Sequence, residues 1–138
     1  MRISKKQLTD IKKISEKMRL KYLYLFGSQA RGNVGPLSDF DFAVKFDAKN
    51  KDKFRSRLKL MNELSEIFRT EKIDVVDIEK ADPILSFNIF REGKKIYVSD
   101  KDERSMDQFK SMRTFLDRRY YYDRHFKIAL KQLADFRL

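Results

Sequence analysis

The chain has 138 residues, enough for one hydrophobic core and too few for two. Apolar residues make up 41% of it and charged residues 38%, with four glycines and two prolines, which excludes disordered, low-complexity and collagen-like classes. The absence of cysteine and the single His125 exclude a disulfide framework and a thiolate or imidazole-rich zinc site, and the net charge of +11 favours anionic partners without choosing among nucleotides, nucleic acid, acidic proteins and lipid surfaces.

Leu8, Ile11, Ile14 (or Ser15) and Met18 recur at three- and four-residue spacing, which predicts an amphipathic helix from Ser4 to about Arg19. Its many lysines read as a solvated face. Tyr22 to Phe26 is a short apolar and aromatic run closed by Gly27, a buried strand, after which Ser28 caps a short helix through Ala30. Gly32 to Pro36 breaks the chain into a loop, and Phe40 to Phe46 reads as a second strand. The stripe Phe54, Leu58, Met61, Leu64, Ile67, Phe68 predicts a helix from about Lys51 to Arg69, followed by a third strand, Ile73 to Ile78. Asp82 and Pro83 suit the cap and first turn of a helix running to about Phe90, and Lys95 to Val98 is an expected edge strand. From Asp102 to Phe136 no glycine or proline intervenes; one or two helices are expected, with Phe115, Tyr122, Phe126, Ala129, Leu133 and Phe136 as a packing face and His125 on the helix surface. Neither a signal-peptide core nor a membrane-spanning run is present in the sequence, so the cytoplasm is the expected location.

The chemistry is concentrated between Gly27 and Val44. A strand ending in Gly27-Ser28 at a helix start offers backbone N–H groups, a hydroxyl and the positive end of a helix dipole, all suited to phosphate oxygens. No Gly-x-x-x-x-Gly-Lys-Ser/Thr sequence occurs, which excludes an ordinary P-loop. Asp39 and Asp41 stand two apart on a strand, where side chains alternate, so both carboxylates face one side. Without a cation such a pair repels, whereas a divalent ion favours both charged forms, and hard oxygen ligands suit Mg²⁺ or Mn²⁺ together with substrate phosphates. Asp74 is the acidic residue to group with them, because Ile73 and Val75 can face the core while Asp74 projects oppositely; Asp77 falls on the other face by parity. A third carboxylate there would help hold the metal and take the proton from an attacking hydroxyl. Arg31 is a candidate phosphate contact from the short helix, although a solvated arginine beside a glycine is common. An isolated Asp-x-Asp would read as a solvated strand start; Gly27-Ser28 upstream tips the balance toward a site.

Gly27-Ser28, the ten residues Gln29 to Ser38, and Asp39-Phe40-Asp41 together resemble the signature of the DNA polymerase β-type nucleotidyltransferase superfamily. Ala30-Arg31-Gly32, Ser38 and Ile73-Asp74-Val75-Val76-Asp77 resemble its minimal nucleotidyltransferase (MNT) branch. The resemblance implies an α/β (α+β) nucleotidyltransferase fold, with a mixed sheet of three to four strands flanked by helices. It implies a nucleotidyltransferase domain over residues 1–100 and a C-terminal helical extension over 101–138, packed on that domain or on a partner. It implies further that Gly27 and Ser28 hold the triphosphate, Asp39 and Asp41 bind the metals, and Asp74 completes the triad. Many proteins of this branch are antitoxins of HEPN/MNT pairs that move AMP from ATP to a tyrosine of a HEPN ribonuclease toxin. That is the expected activity, with ATP as substrate and a HEPN partner in a hetero-oligomer. The alternatives are neutralisation by contact alone and transfer to a nucleic acid or small-molecule acceptor. Nucleic acid ranks lower because no aromatic-basic RNA motif is present, and no membrane partner is expected.

Overall fold

The computed structural model describes residues 3–27, 30 and 39–136. Helix α1 (Lys5–Lys17) leads to strand β1 (Tyr22–Phe26), strand β2 (Phe40–Lys45), helix α2 (Lys53–Phe68) and strand β3 (Ile73–Asp77). A single 3-10 turn (Ile78–Lys80), helix α3 (Pro83–Glu92), strand β4 (Lys94–Val98) and helix α4 (Lys101–Phe136) follow. The sheet order is β3-β2-β1-β4; β1 pairs antiparallel with β2 and with β4, and β2 pairs parallel with β3. This is a mixed sheet of four strands flanked by helices, as the resemblance implied, with β4 on an edge.

Local chemistry sets the helix boundaries. Ser4 accepts from the Gln7 backbone N–H while the Gln7 side chain accepts from the Ser4 N–H, a reciprocal capping box at the start of α1. Asp52 caps α2, Asp82 caps α3 with Pro83 in its first turn, and Asp100 caps α4 by accepting from the Glu103 N–H at 3.0 Å. Each of these caps satisfies an amide that the helix itself leaves unpaired.

Strand alternation divides the sheet into two faces. Leu23 and Leu25 of β1, Phe42 and Val44 of β2, and Ile73 and Val75 of β3 pack with Ile11 of α1 and Leu60 and Leu64 of α2 in the main core. The opposite face carries Tyr22 and Tyr24 of β1 and Ala43 of β2, covered by Ile89 and Phe90 of α3. Phe90 meets the Tyr24 ring edge-on at 5.5 Å between centroids. On that second face β2 continues to Lys45, whose ammonium pairs with Glu79 at 3.0 Å and Asp107 at 3.1 Å, while the Tyr22 hydroxyl donates to Asp107 at 2.7 Å. This ionic knot ties the far end of the sheet to the 3-10 turn and to α4.

Burial alone would pull the Lys45 ammonium below its ordinary value, but its hydrogen bonds to Glu79 and Asp107 outweigh that and hold it above. Burial would likewise raise Glu79, and Lys45 and Lys53 reverse the sign and hold it below the usual carboxylate range. A depressed carboxylate contributes stability above its unfolded-state value and loses it as pH falls through the folded-state value. Lys45→Ala is therefore expected to cost about 1–3 kcal/mol at neutral pH, since two partly covered carboxylates each lose one of their two partners, Glu79 keeping Lys53 and Asp107 keeping the Tyr22 hydroxyl. Urea denaturation should also show the variant losing less stability than the parent on acidification; equal acid sensitivity would contradict the assigned knot.

The long C-terminal segment takes the single-helix form of the one or two helices expected, and much of its apolar side is not covered by the body. It forms one helix of 36 residues, and only its first part lies against the body: Phe115 stacks on Phe87 with centroids 4.0 Å apart. Beyond it, Tyr122, Phe126 and Leu133 of the expected packing face are exposed, as is His125, whose ring meets Tyr121 at 4.0 Å. The reason is geometric: a helix of 36 residues is about 54 Å long and outruns a small four-stranded sheet.

Candidate active site

The second face of the sheet places its acidic residues in one row. In register, Phe26 of β1 faces Asp41 of β2, and Asp41 faces Asp74 of β3. Neighbouring strands lie roughly 4.8 Å apart, so the Asp41 and Asp74 carboxylates, both projecting from this face, stand side by side. Asp39 sits one residue ahead of β2, exposed, rather than within the strand. Asp74 is also exposed and Asp41 is half-buried, whereas Ile73 and Val75 are buried in the core, as parity requires. Asp77 is buried on the opposite parity, where its carboxylate accepts from the Glu79 N–H at 3.0 Å and shapes the 3-10 turn.

Asp41 is the electrostatic centre. Burial, then the charges of Asp74 and Asp39, hold its carboxyl above the ordinary aspartate value. The two neighbours are thus near enough to act on it, and a cation among the three would reverse the penalty. Among the described residues no three acidic or imidazole side chains close into a ready-made cage. An all-carboxylate donor set completed by substrate phosphates and water nonetheless suits Mg²⁺, which seldom uses a dedicated protein cage.

Gly27 ends β1 with φ +75°, a left-handed conformation, and a Cβ placed there would lie 2.5 Å from Asp41 Oδ2. The glycine is therefore required twice, by its backbone and by the carboxylate packed against it. Ser28 and Arg31, the expected phosphate contacts beyond it, lie outside the described residues. Of the short helix expected there, Ala30 is described; it is helical and buried in the main core.

A cavity of about 370 Å³ opens beside Asp74, lined by Lys53, Phe54, Arg57 and Lys80 as well as β3. Arg57 is held there by donating to the Val75 carbonyl at 3.1 Å. Three cations around a carboxylate suit a polyanion that approaches with its own divalent ion. Lys53, Arg57 and Lys80 have no motif to mark them in the sequence; they come together because α2 packs along β3 and the 3-10 turn that follows β3 brings Lys80 beside it. A larger cavity of about 500 Å³ lies around Lys45, Glu79 and Asp107. It is four residues along β2 from Asp41, roughly 13 Å away, too far to take part in chemistry at the acidic row.

A mixed sheet with a glycine-ended strand packed on an acidic row is the architecture of a nucleotidyltransferase, and the chain belongs to that family: residues 9–102 match the family described as Polymerase beta, Nucleotidyltransferase. Among individual relatives, the chain is 35% identical over 91 residues to the protein adenylyltransferase MntA of Aphanizomenon flos-aquae (strain 2012/KM1/D3), a match covering 61% of each chain. It is also 35% identical over 79 residues to a protein of Methanocaldococcus jannaschii, covering 51% of this chain and 78% of that one. Among solved structures it is similar to a chain of a toxin–antitoxin crystal structure with AMP-PNP, at a TM-score of 0.71 and 21% identity, covering 89% of this chain and 98% of that one. A chain from the complex of a tri-AMPylated Shewanella oneidensis HEPN toxin with an MNT antitoxin matches at a TM-score of 0.63 and 20% identity, covering 90% and 98%. At these identities the structural likeness is one of fold, and it extends over most of α4 as well as the sheet.

Proposed function

We propose that this chain transfers AMP from ATP to a tyrosine of a HEPN ribonuclease toxin and acts as the antitoxin of that pair in the cytoplasm. The observation that carries the reading is the row Asp41-Asp74, with Asp39 beside it and Gly27 packed on Asp41. Likeness to MntA supports a protein acceptor, and fold likeness to chains from HEPN–MNT complexes supports the kind of partner. No helix among the described residues is long and apolar enough to cross a membrane, in keeping with a cytoplasmic partner.

Asp39, Asp41 and Asp74 would hold divalent magnesium or manganese, which when bound neutralises phosphate charge and stabilises an in-line displacement at phosphorus. The chain's own residues supply the rest. Gly27 and Ser28 orient the triphosphate, with Arg31 as a further phosphate contact, and Lys53, Arg57 and Lys80 attract the polyanion. Asp74 takes the proton of the acceptor hydroxyl as its oxygen bonds to the α-phosphorus. The bond from that phosphorus to the bridging oxygen of the β-phosphate breaks, and pyrophosphate leaves.

A second reading is neutralisation by contact alone, which the exposed apolar side chains of α4 could serve. Growth rescue separates the two. Asp39→Ala, at an exposed position, is expected to fold and to lose protection against the co-expressed toxin; full protection by this variant would overturn the catalytic reading in favour of contact alone.

A further inference from the structure

Helix α4 carries a stripe that the acidic row does not use, starting alongside the body and running onto the projecting part. Phe109, Met112 and Leu116 are followed, in unbroken three-four spacing, by Arg119 and Asp123 and then by Phe126, Leu130 and Leu133. The six apolar members are 42% to 66% exposed, and Arg119 and Asp123 are exposed as well. Three-four alternation sustained over this length is the seam of a coiled coil, about 36 Å long. The body occupies a different side of the helix, since it meets α4 through Asp107 and Phe115 and shares a cleft with Arg118 and Tyr122, none of them in the stripe. Isolated exposed apolar residues are ordinary, but six aligned on one helix mark an interface.

We propose that this stripe pairs with the same stripe of a second copy of the chain, antiparallel, about a two-fold axis at Tyr121. The argument is that the stripe is complementary to its own reverse. Turned end for end about residue 121, Phe109 meets Leu133, Met112 meets Leu130, Leu116 meets Phe126, and Arg119 meets Asp123. Every apolar residue finds an apolar partner, and the two charged residues find each other twice, once on each side of the axis. That is the reciprocal contact pattern of an isologous dimer. A parallel pair would set Arg119 against Arg119 and Asp123 against Asp123, burying like charges at the centre of the seam. The charges therefore select the antiparallel arrangement over the parallel one, and the two sheet bodies end at opposite ends of the coil. A partner of another kind has no need of this reverse complementarity.

The test is analytical ultracentrifugation of the full chain alone, without toxin or nucleotide, so that it stands apart from any failure of the catalytic reading. The parent chain is expected to be a dimer at micromolar concentration. Arg119→Asp and Asp123→Arg, each at an exposed position and each judged folded by far-UV circular dichroism, should weaken the dimer by at least about 100-fold, because each places like charges opposite at two points. Mixing the two variants should restore association, since each then meets its complement, and the double variant R119D/D123R should dimerise alone. A monomeric parent chain, a dimer indifferent to either single reversal, or a mixture that stays monomeric would each overturn the proposal.

Discussion

Asp41→Asn is expected to reduce AMP transfer by about 1,000-fold or more while making the metal-free chain more stable. On the proposed function, the catalytic loss follows from removing the half-buried central member of the acidic row, on which several kcal/mol of charge stabilisation at the transferring phosphoryl group would depend. The gain in stability follows from the same residue's cost at rest. Burial, Asp74 and Asp39 all disfavour its charged form, so its folded-state pKa lies above the unfolded one. For a carboxyl raised in this way, the favourable contribution is fully present below the unfolded-state value and is lost as pH rises through the folded-state value. Calorimetry in the presence of a chelator should show the asparagine variant melting a few degrees higher at neutral pH. The two chains should converge in acid, where Asp41 is protonated. Added Mg²⁺ and a triphosphate analogue should raise the parent's melting temperature and leave the variant's nearly unchanged. A variant less stable than its parent in chelator at neutral pH would contradict the assigned strain.

Gly27→Ala attacks the row from the other side. Alanine at φ +75° costs about 1–2 kcal/mol in backbone strain, and its Cβ would lie 2.5 Å from Asp41 Oδ2. The carboxylate must then shift, and misplacing a catalytic group by about 1 Å can cost roughly 100-fold. Steady-state kinetics should show that loss mainly in kcat, with a lowered urea midpoint. Stability lost without any change in turnover would mean that the Gly27 contact does not position Asp41.

Much of the fold could be read along the chain because local signals and tertiary demands agree. The run Tyr22 to Phe26 became β1 with the expected limits, and Asp82 and Pro83 cap α3 as their chemistry dictates. Parity in β3 separated Asp74 from Asp77, because alternation is a property of the backbone and does not depend on what packs against it. Alternation puts Asp39 on the strand with Asp41, yet it lies one residue before β2; strand ends are set by which amides find partners, which a residue's own identity does not encode. Lys45 shared the alternation of Asp41 and Ala43, yet its partners Glu79 and Asp107 are brought to it only by the 3-10 turn and α4. The basic lining beside Asp74 was hidden for the same reason. Exposure along α4 was hidden too, because helical spacing marks an apolar side without naming what covers it.

The acidic row exists, on this account, to move an adenylyl group, and the fate of the phosphorus reports that directly. The purified chain should be incubated with a HEPN toxin, Mg²⁺ and ATP labelled with ³²P at either the α or the γ position. Label from the α position is expected on the toxin, label from the γ position is expected to leave as pyrophosphate, and Asp41→Asn should transfer neither. Label from the γ position on the toxin, or an unlabelled toxin with both substrates, would contradict this account.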